Sequence, residues 1–108
     1  MDVADWRKKI DDVDRKLVEM LNERARFARE IGFLKRGAQA PITDPLREQE
    51  VLANVRRNNR GPLPEHDLLN LYERILDIMR KFEREQSAGH SQAARQAAGS
   101  EIEAETNE

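Results

Sequence analysis

The sequence contains no cysteine, which excludes a disulfide framework and any thiolate metal site. No apolar run approaches the roughly twenty residues needed to cross a bilayer. The first residues, MDVADWRKK, lack the apolar core of a signal peptide. Neither sign of charge dominates: 19 basic side chains face 21 acidic ones, for a net charge of -2. The basic residues are interleaved with acids and form no stripe, so neither nucleic acid nor a membrane surface is an expected partner. The two histidines, His66 and His90, are far apart and have no ligand-like spacing; both are expected at the surface, and no metal site is expected. A glycine-rich phosphate loop is missing, as is a histidine–carboxylate pair. Nucleophilic, metal-dependent and nucleotide-dependent chemistry all lack their parts. The expectation is a soluble cytoplasmic protein whose chemistry, if any, runs on positioning and electrostatics.

Large apolar residues also run out near residue 87. The stretch SAGHSQAARQAAGSEIEAETNE holds one isoleucine and no other large apolar side chain. It buries too little surface to offset the entropy of ordering. The sequence therefore divides into a folded domain over 1–86 and an expected disordered tail over 87–108.

What is present is helical periodicity. Apolar residues recur at 3, 6, 10, 13, 17, 20, 27, 31 and 34, the 3-4 spacing of an a/d seam, which fits no strand. Asp2 and Asp5 can cap its start, and Gly37 is the expected stop. A second helix opens at Asp44-Pro45 and runs to about Asn58, with Leu46, Val51, Leu52 and Val55 inward. Asn58-Asn59-Arg60-Gly61-Pro62 reads as a turn. A third helix runs from about Pro64 to Gln86, with Leu68, Leu69, Tyr72, Ile75, Leu76, Met79 and Phe82 on its buried stripe. The fold class is all-α, with three helices per chain.

The first helix is too long for its own chain. Residues 3–36 span roughly 50 Å at 1.5 Å per residue, whereas a compact domain of this size has a radius of gyration of about 12 Å. Two shorter helices leave part of the seam uncovered. A second copy is expected to cover it, giving an intertwined homodimeric helical bundle; a long coiled-coil hairpin would carry the same stripe.

One seam position is not apolar: Arg24. Lys35, eleven residues on, returns to within about 20° of the same side, roughly 16 Å along the axis. Arg7 lies about 100° off that line, so a different chain or pocket is its expected neighbour. Arg47 sits in the first turn of the second helix, where a cation opposes the dipole, and Glu48 beside it suits that dipole. A single buried arginine also serves to set register in a coiled coil. Several cations converging on interior faces instead suit a small polyanion, with arginine matching planar carboxylate and lysine acting as a point donor. Gly32, inside the first helix, costs about 1 kcal/mol relative to alanine, which a close approach by a ligand or another helix would explain.

These residues carry a resemblance. WRKKIDDVDRKLVEMLNERARFAREIGFLK, then PITDPLRE, then YERILDIMRKFE resembles the all-helical AroQ type of chorismate mutase across about residues 5–84. Its motifs are Arg-x-x-Ile-Asp, Leu-x-x-Arg, Ile-Gly-x-x-Lys and Asp-x-x-Arg-Glu. The resemblance implies an isomerase on the shikimate route to phenylalanine and tyrosine that converts chorismate to prephenate without a cofactor. It implies an intertwined dimer with two active sites, each completed by the partner's first helix. The carboxylate-binding arginines fall on Arg24 and, from the other chain, Arg7. The ether-oxygen lysine falls on Lys35. Asp44, Arg47 and Glu48 fill the loop and second-helix positions, with Glu48 at the residue that holds the substrate hydroxyl. Two positions depart from the pattern: where serine and, four residues later, glutamine are frequent, this chain has Met79 and Glu83. Met79 donates no hydrogen bond. Glu83 replaces glutamine as a donor only when protonated, and Gln86 is a weaker substitute. An isochorismate-pyruvate lyase of the same fold, and a non-catalytic or regulatory helical dimer, are the alternatives.

Overall fold

The computed structural model describes residues 1–107, except the side chains of 90–107. It contains three helices: α1 (Val3–Gly37), α2 (Pro45–Asn58) and α3 (Glu65–Asn107). α1 starts as the sequence predicts. The Asp2 side chain accepts from the Asp5 backbone N–H and the Asp5 side chain accepts from that of Asp2, both at 2.9 Å, a reciprocal capping box. It ends at Gly37, as expected, and the left-handed residue beyond it is Gln39 at φ 57°. Asp44 caps α2 by accepting from the Arg47 N–H at 3.1 Å. The turn into α3 is closed by Asn59, whose side chain accepts from the Gly61 N–H and donates to the Leu63 carbonyl. Gly61 has φ +73°, which glycine adopts without steric cost.

α3 does not stop at Gln86 but continues to Asn107. Ser87 is fully buried, and its hydroxyl donates to the Arg84 carbonyl. The segment after Gln86 has no proline and is rich in alanine and glutamate, good helix formers whatever they pack against. The side chains of most of the expected tail, that of His90 among them, lie outside the described residues. His66 is exposed as expected, 3.3 Å from Asn70.

Packing runs α1 on α3 and α2 on α3. Gly32 of α1 abuts Glu83 of α3. Arg24, about two turns earlier on α1, borders the same groove as Tyr72 and Leu68, earlier on α3. The two helices therefore run in the same direction, and α2 packs against α3. α3 presents the expected stripe: Leu76 and Met79 are buried, and Leu68, Leu69, Tyr72, Ile75 and Phe82 are half-buried.

The α1 face used for this packing is not the predicted seam. Ala28 and Gly32 are buried, beside half-buried Ala25, and these small residues let α3 come close. The seam itself stays open: Trp6, Ile10, Val13, Leu17, Phe27 and Leu34 are all more than half exposed. Leu46, expected inward on α2, is 78% exposed. It sits in the first turn of α2, beyond the face that meets α3. The chain is a slab of 71 × 35 × 15 Å with a radius of gyration of 20.0 Å, against about 13 Å for a compact chain of this length. A thickness of 15 Å leaves no room for a second layer over the seam.

Candidate active site

The inward side of this slab carries a cleft of about 280 Å³. It is lined by Arg24, Lys35, Asp44, Arg47, Glu48 and Glu83, together with Arg80 and apolar walls that include Phe27, Ile31, Val51, Leu76 and Met79. Six of the seven site residues expected from sequence thus share one concavity. The seventh, Arg7, lies on the exposed first part of α1 and does not line the cleft. It is 17 residues from Arg24, about 25 Å along the helix, so it cannot reach the cleft of its own chain.

Local structure sets each group. Arg24 and Lys35 point to the same side because eleven residues make close to three turns. The Lys35 ammonium donates to the Ile42 carbonyl at 2.9 Å, which ties the end of α1 to the loop before α2. That bond uses one of its three protons. Asp44 spends its carboxylate on the cap of α2, and so fixes the first turn that presents Arg47 and Glu48. Arg47 pairs with Glu50 at 2.6 Å and remains exposed. Arg24 has no ion pair or hydrogen bond among the described residues.

Arg80 was not expected at the site from the sequence. It projects from α3 into the cleft, where its guanidinium bonds Glu48 through one nitrogen and Asp77 through the other. Both Arg80 and Glu48 are about three-quarters buried. The only signal in the sequence was its position one residue after Met79 on the buried stripe, which reads equally as a solvated flank.

Glu83 stands apart from the other acids. Burial pushes its carboxyl above the usual glutamate range; Lys35 and Arg24 pull it down, and the charge of Glu48 pushes it up. Its backbone lies directly against Gly32: a Cβ on that glycine would be 3.2 Å from the Glu83 carbonyl oxygen. The close approach expected at Gly32 is therefore real, and the neighbour is a helix.

The cleft carries more cationic than anionic groups, with Arg24, Lys35, Arg47 and Arg80 against Asp44, Glu48 and Glu83. Such a cleft accepts a small anion with planar carboxylates. Among the described residues, no group of histidine, cysteine, aspartate and glutamate could hold a metal ion, and no helix is long and apolar enough to cross a membrane.

Known proteins resemble this chain in sequence and fold. The family described as chorismate mutase type II matches residues 6–84. The bifunctional chorismate mutase/prephenate dehydratase of Aquifex aeolicus is 33% identical over 87 residues, which is 77% of this chain and 24% of that protein. The present chain thus spans about a quarter of the length of the bifunctional relatives it matches. The chorismate mutase of Methanocaldococcus jannaschii is 34% identical over 55 residues, 51% of this chain and 56% of that one. Among solved structures, chorismate mutase from Thermus thermophilus superposes with a TM-score of 0.74 at 34% identity, covering 76% of this chain and 93% of that one. Chorismate mutase from Helicobacter pylori, in complex with prephenate, gives 0.72 at 30% identity, covering 78% and 91%. A match spanning all three helices and every wall of the cleft makes this chain a member of the chorismate mutase type II family.

Proposed function

We propose that this chain is a chorismate mutase, acting in the cytoplasm to rearrange chorismate to prephenate without a cofactor, with residues 1–86 as its catalytic unit. One observation carries the reading: in a chain of this family, Arg24 and Lys35 meet Glu48 and Glu83 in a single cleft with apolar walls.

The chemistry suits that inventory. An intramolecular Claisen rearrangement breaks one C–O bond while it forms one C–C bond, and requires neither base nor nucleophile. The substrate must be held in its compact, ring-like conformer, which is a matter of orientation. Arg24 grips one carboxylate, and Arg7 of a second copy grips the other. Glu48 accepts from the substrate hydroxyl. Arg47 helps order the site and Asp44 anchors the turn that carries both. As the C–O bond breaks, negative charge gathers on the ether oxygen. Lys35 donates to that oxygen from one side and protonated Glu83 from the other. A preorganised donor of this kind contributes about 3 kcal/mol to the transition state.

The second copy is part of the proposal. Trp6, Ile10, Val13 and Leu17 form an exposed row on α1, and fully burying each such side chain would stabilise by about 1.5–3 kcal/mol. Pairing α1 with α1 of another chain covers that row in a homodimer and brings Arg7 to the partner's cleft, where its own chain cannot take it.

Incubation of the purified protein with chorismate tests the reading: prephenate should form. Release of salicylate and pyruvate from isochorismate, with chorismate left intact, would make the chain a lyase. Turnover of neither substrate by a folded dimer would leave a binding module.

A further inference from the structure

Arg80 and Asp77 have no part in the mechanism given above, and among the described residues the Arg80–Glu48 ion pair is the one polar link that joins α2 to α3 inside the cleft. We infer that Arg80 is a positioning residue that holds Glu48 in its working orientation, and that Asp77 in turn holds Arg80. This deepens the proposed function and rests on it.

Glu48 lies in the first turn of α2, on a flexible side chain with two oxygens. Arg80 occupies one of them, Oε1, which leaves the other to accept from a hydroxyl. The guanidinium is planar, so a bond through Nη1 to Glu48 and another through Nη2 to Asp77 fix its plane and the carboxylate it faces. Lysine, a point charge with rotatable donors, fixes no such plane between the two acids.

Charge gives a second reason. The cleft already contains Glu83, and a dicarboxylate ligand would enter beside Glu48. An unpaired carboxylate there would repel the ligand at short range in a partly buried site. Arg80 offsets that charge while leaving Glu48 an acceptor. Its neighbour Met79 donates no hydrogen bond, so α3 contributes order to this side of the cleft through Arg80.

The test is a double-variant cycle on the full chain: wild type, Arg80→Gln, Glu48→Gln and both together, assayed on chorismate with melting temperatures in parallel. Losing a hydrogen bond to a charged group corresponds to about a tenfold fall in kcat/KM or more for Arg80→Gln. The same change should cost little once Glu48 is already glutamine. Arg80→Lys should recover only part of the loss, and Asp77→Asn should lose about threefold, since it acts one bond further away. Equal losses from Arg80→Gln in both backgrounds would overturn the inference, because Arg80 would then act without Glu48. So would a lowered melting temperature with kcat and KM unchanged, which marks a structural fastener. A folded wild-type chain that leaves chorismate unchanged would overturn the proposed function, and this inference with it.

Discussion

Gly32 and Glu83 lock α1 to α3 at the cleft wall. A Cβ added at Gly32 would lie 3.2 Å from the Glu83 carbonyl oxygen and 3.3 Å from its Cβ. Both are atoms of the α3 backbone or attached directly to it, and neither can swing away. The absence of a side chain at residue 32 therefore sets how near the Glu83 carboxyl comes to Lys35.

Gly32→Ala should separate stability from activity. Alanine gains about 1 kcal/mol of helix propensity, while the forced contact costs about 1–3 kcal/mol. The net loss of up to about 2 kcal/mol should lower the melting temperature by about 10 °C at most. Glu83 moves with α3, and small misplacements of reacting partners are costly, so kcat/KM should fall about tenfold. Steady-state kinetics beside a melting curve reads both.

Glu83 predicts the pH dependence. Burial raises its pKa above the ordinary 4.5, against the pull of Lys35 and Arg24, and a bound dicarboxylate raises it further. In the proposed mechanism the working form is the protonated one. Activity should be greatest in mild acid and fall as pH rises through the raised value. Folding follows the same sign: the folded chain holds this proton more tightly than the unfolded chain, so stability also falls as pH climbs above 4.5. Glu83→Gln keeps a donor that does not titrate, and should flatten the pH–rate profile. A profile in the variant that still falls over the same window would remove Glu83 from this role.

Lys35 should matter for chemistry more than for assembly. Removing one preorganised donor to developing charge costs about 10²–10³-fold in kcat. Lys35→Ala also loses the part-buried bond to the Ile42 carbonyl, which ties down a loop and not the α1–α3 packing, so the fold should persist. Sedimentation or size-exclusion analysis should find the same oligomer as wild type, with turnover reduced by that factor.

Much of this was legible in the sequence because its signals are local. The a/d spacing, the Asp2–Asp5 box and Asp44-Pro45 specify helix starts from a few neighbouring residues. The stripe Leu68–Leu69–Tyr72–Ile75–Leu76–Met79–Phe82 specifies the α3 face that turns inward. What sequence did not reveal depends on contacts across helices. The seam of α1 was readable, but not that Ala28 and Gly32, small and inconspicuous, make the packing face within the chain. Leu46 looked inward by period, yet its side chain is exposed, off the side of α2 that meets α3. Arg80 was invisible because its partner Glu48 is 32 residues away. The end of α3 was misjudged because poverty in large apolar residues argues against burial, not against helix.

The central claim is that each cleft is completed by a residue from another chain. Arg7→Ala and Lys35→Ala should each be nearly inactive alone. Unfolded together in equal amounts and refolded, half of the dimers should be mixed, and each mixed dimer should contain one site with both residues intact. Activity should return to about a quarter of the wild-type value per chain, the fraction set by random pairing across a two-fold interface. Refolded mixtures no more active than the separate variants, or a protein that sediments as a single chain while turning over chorismate, would contradict it.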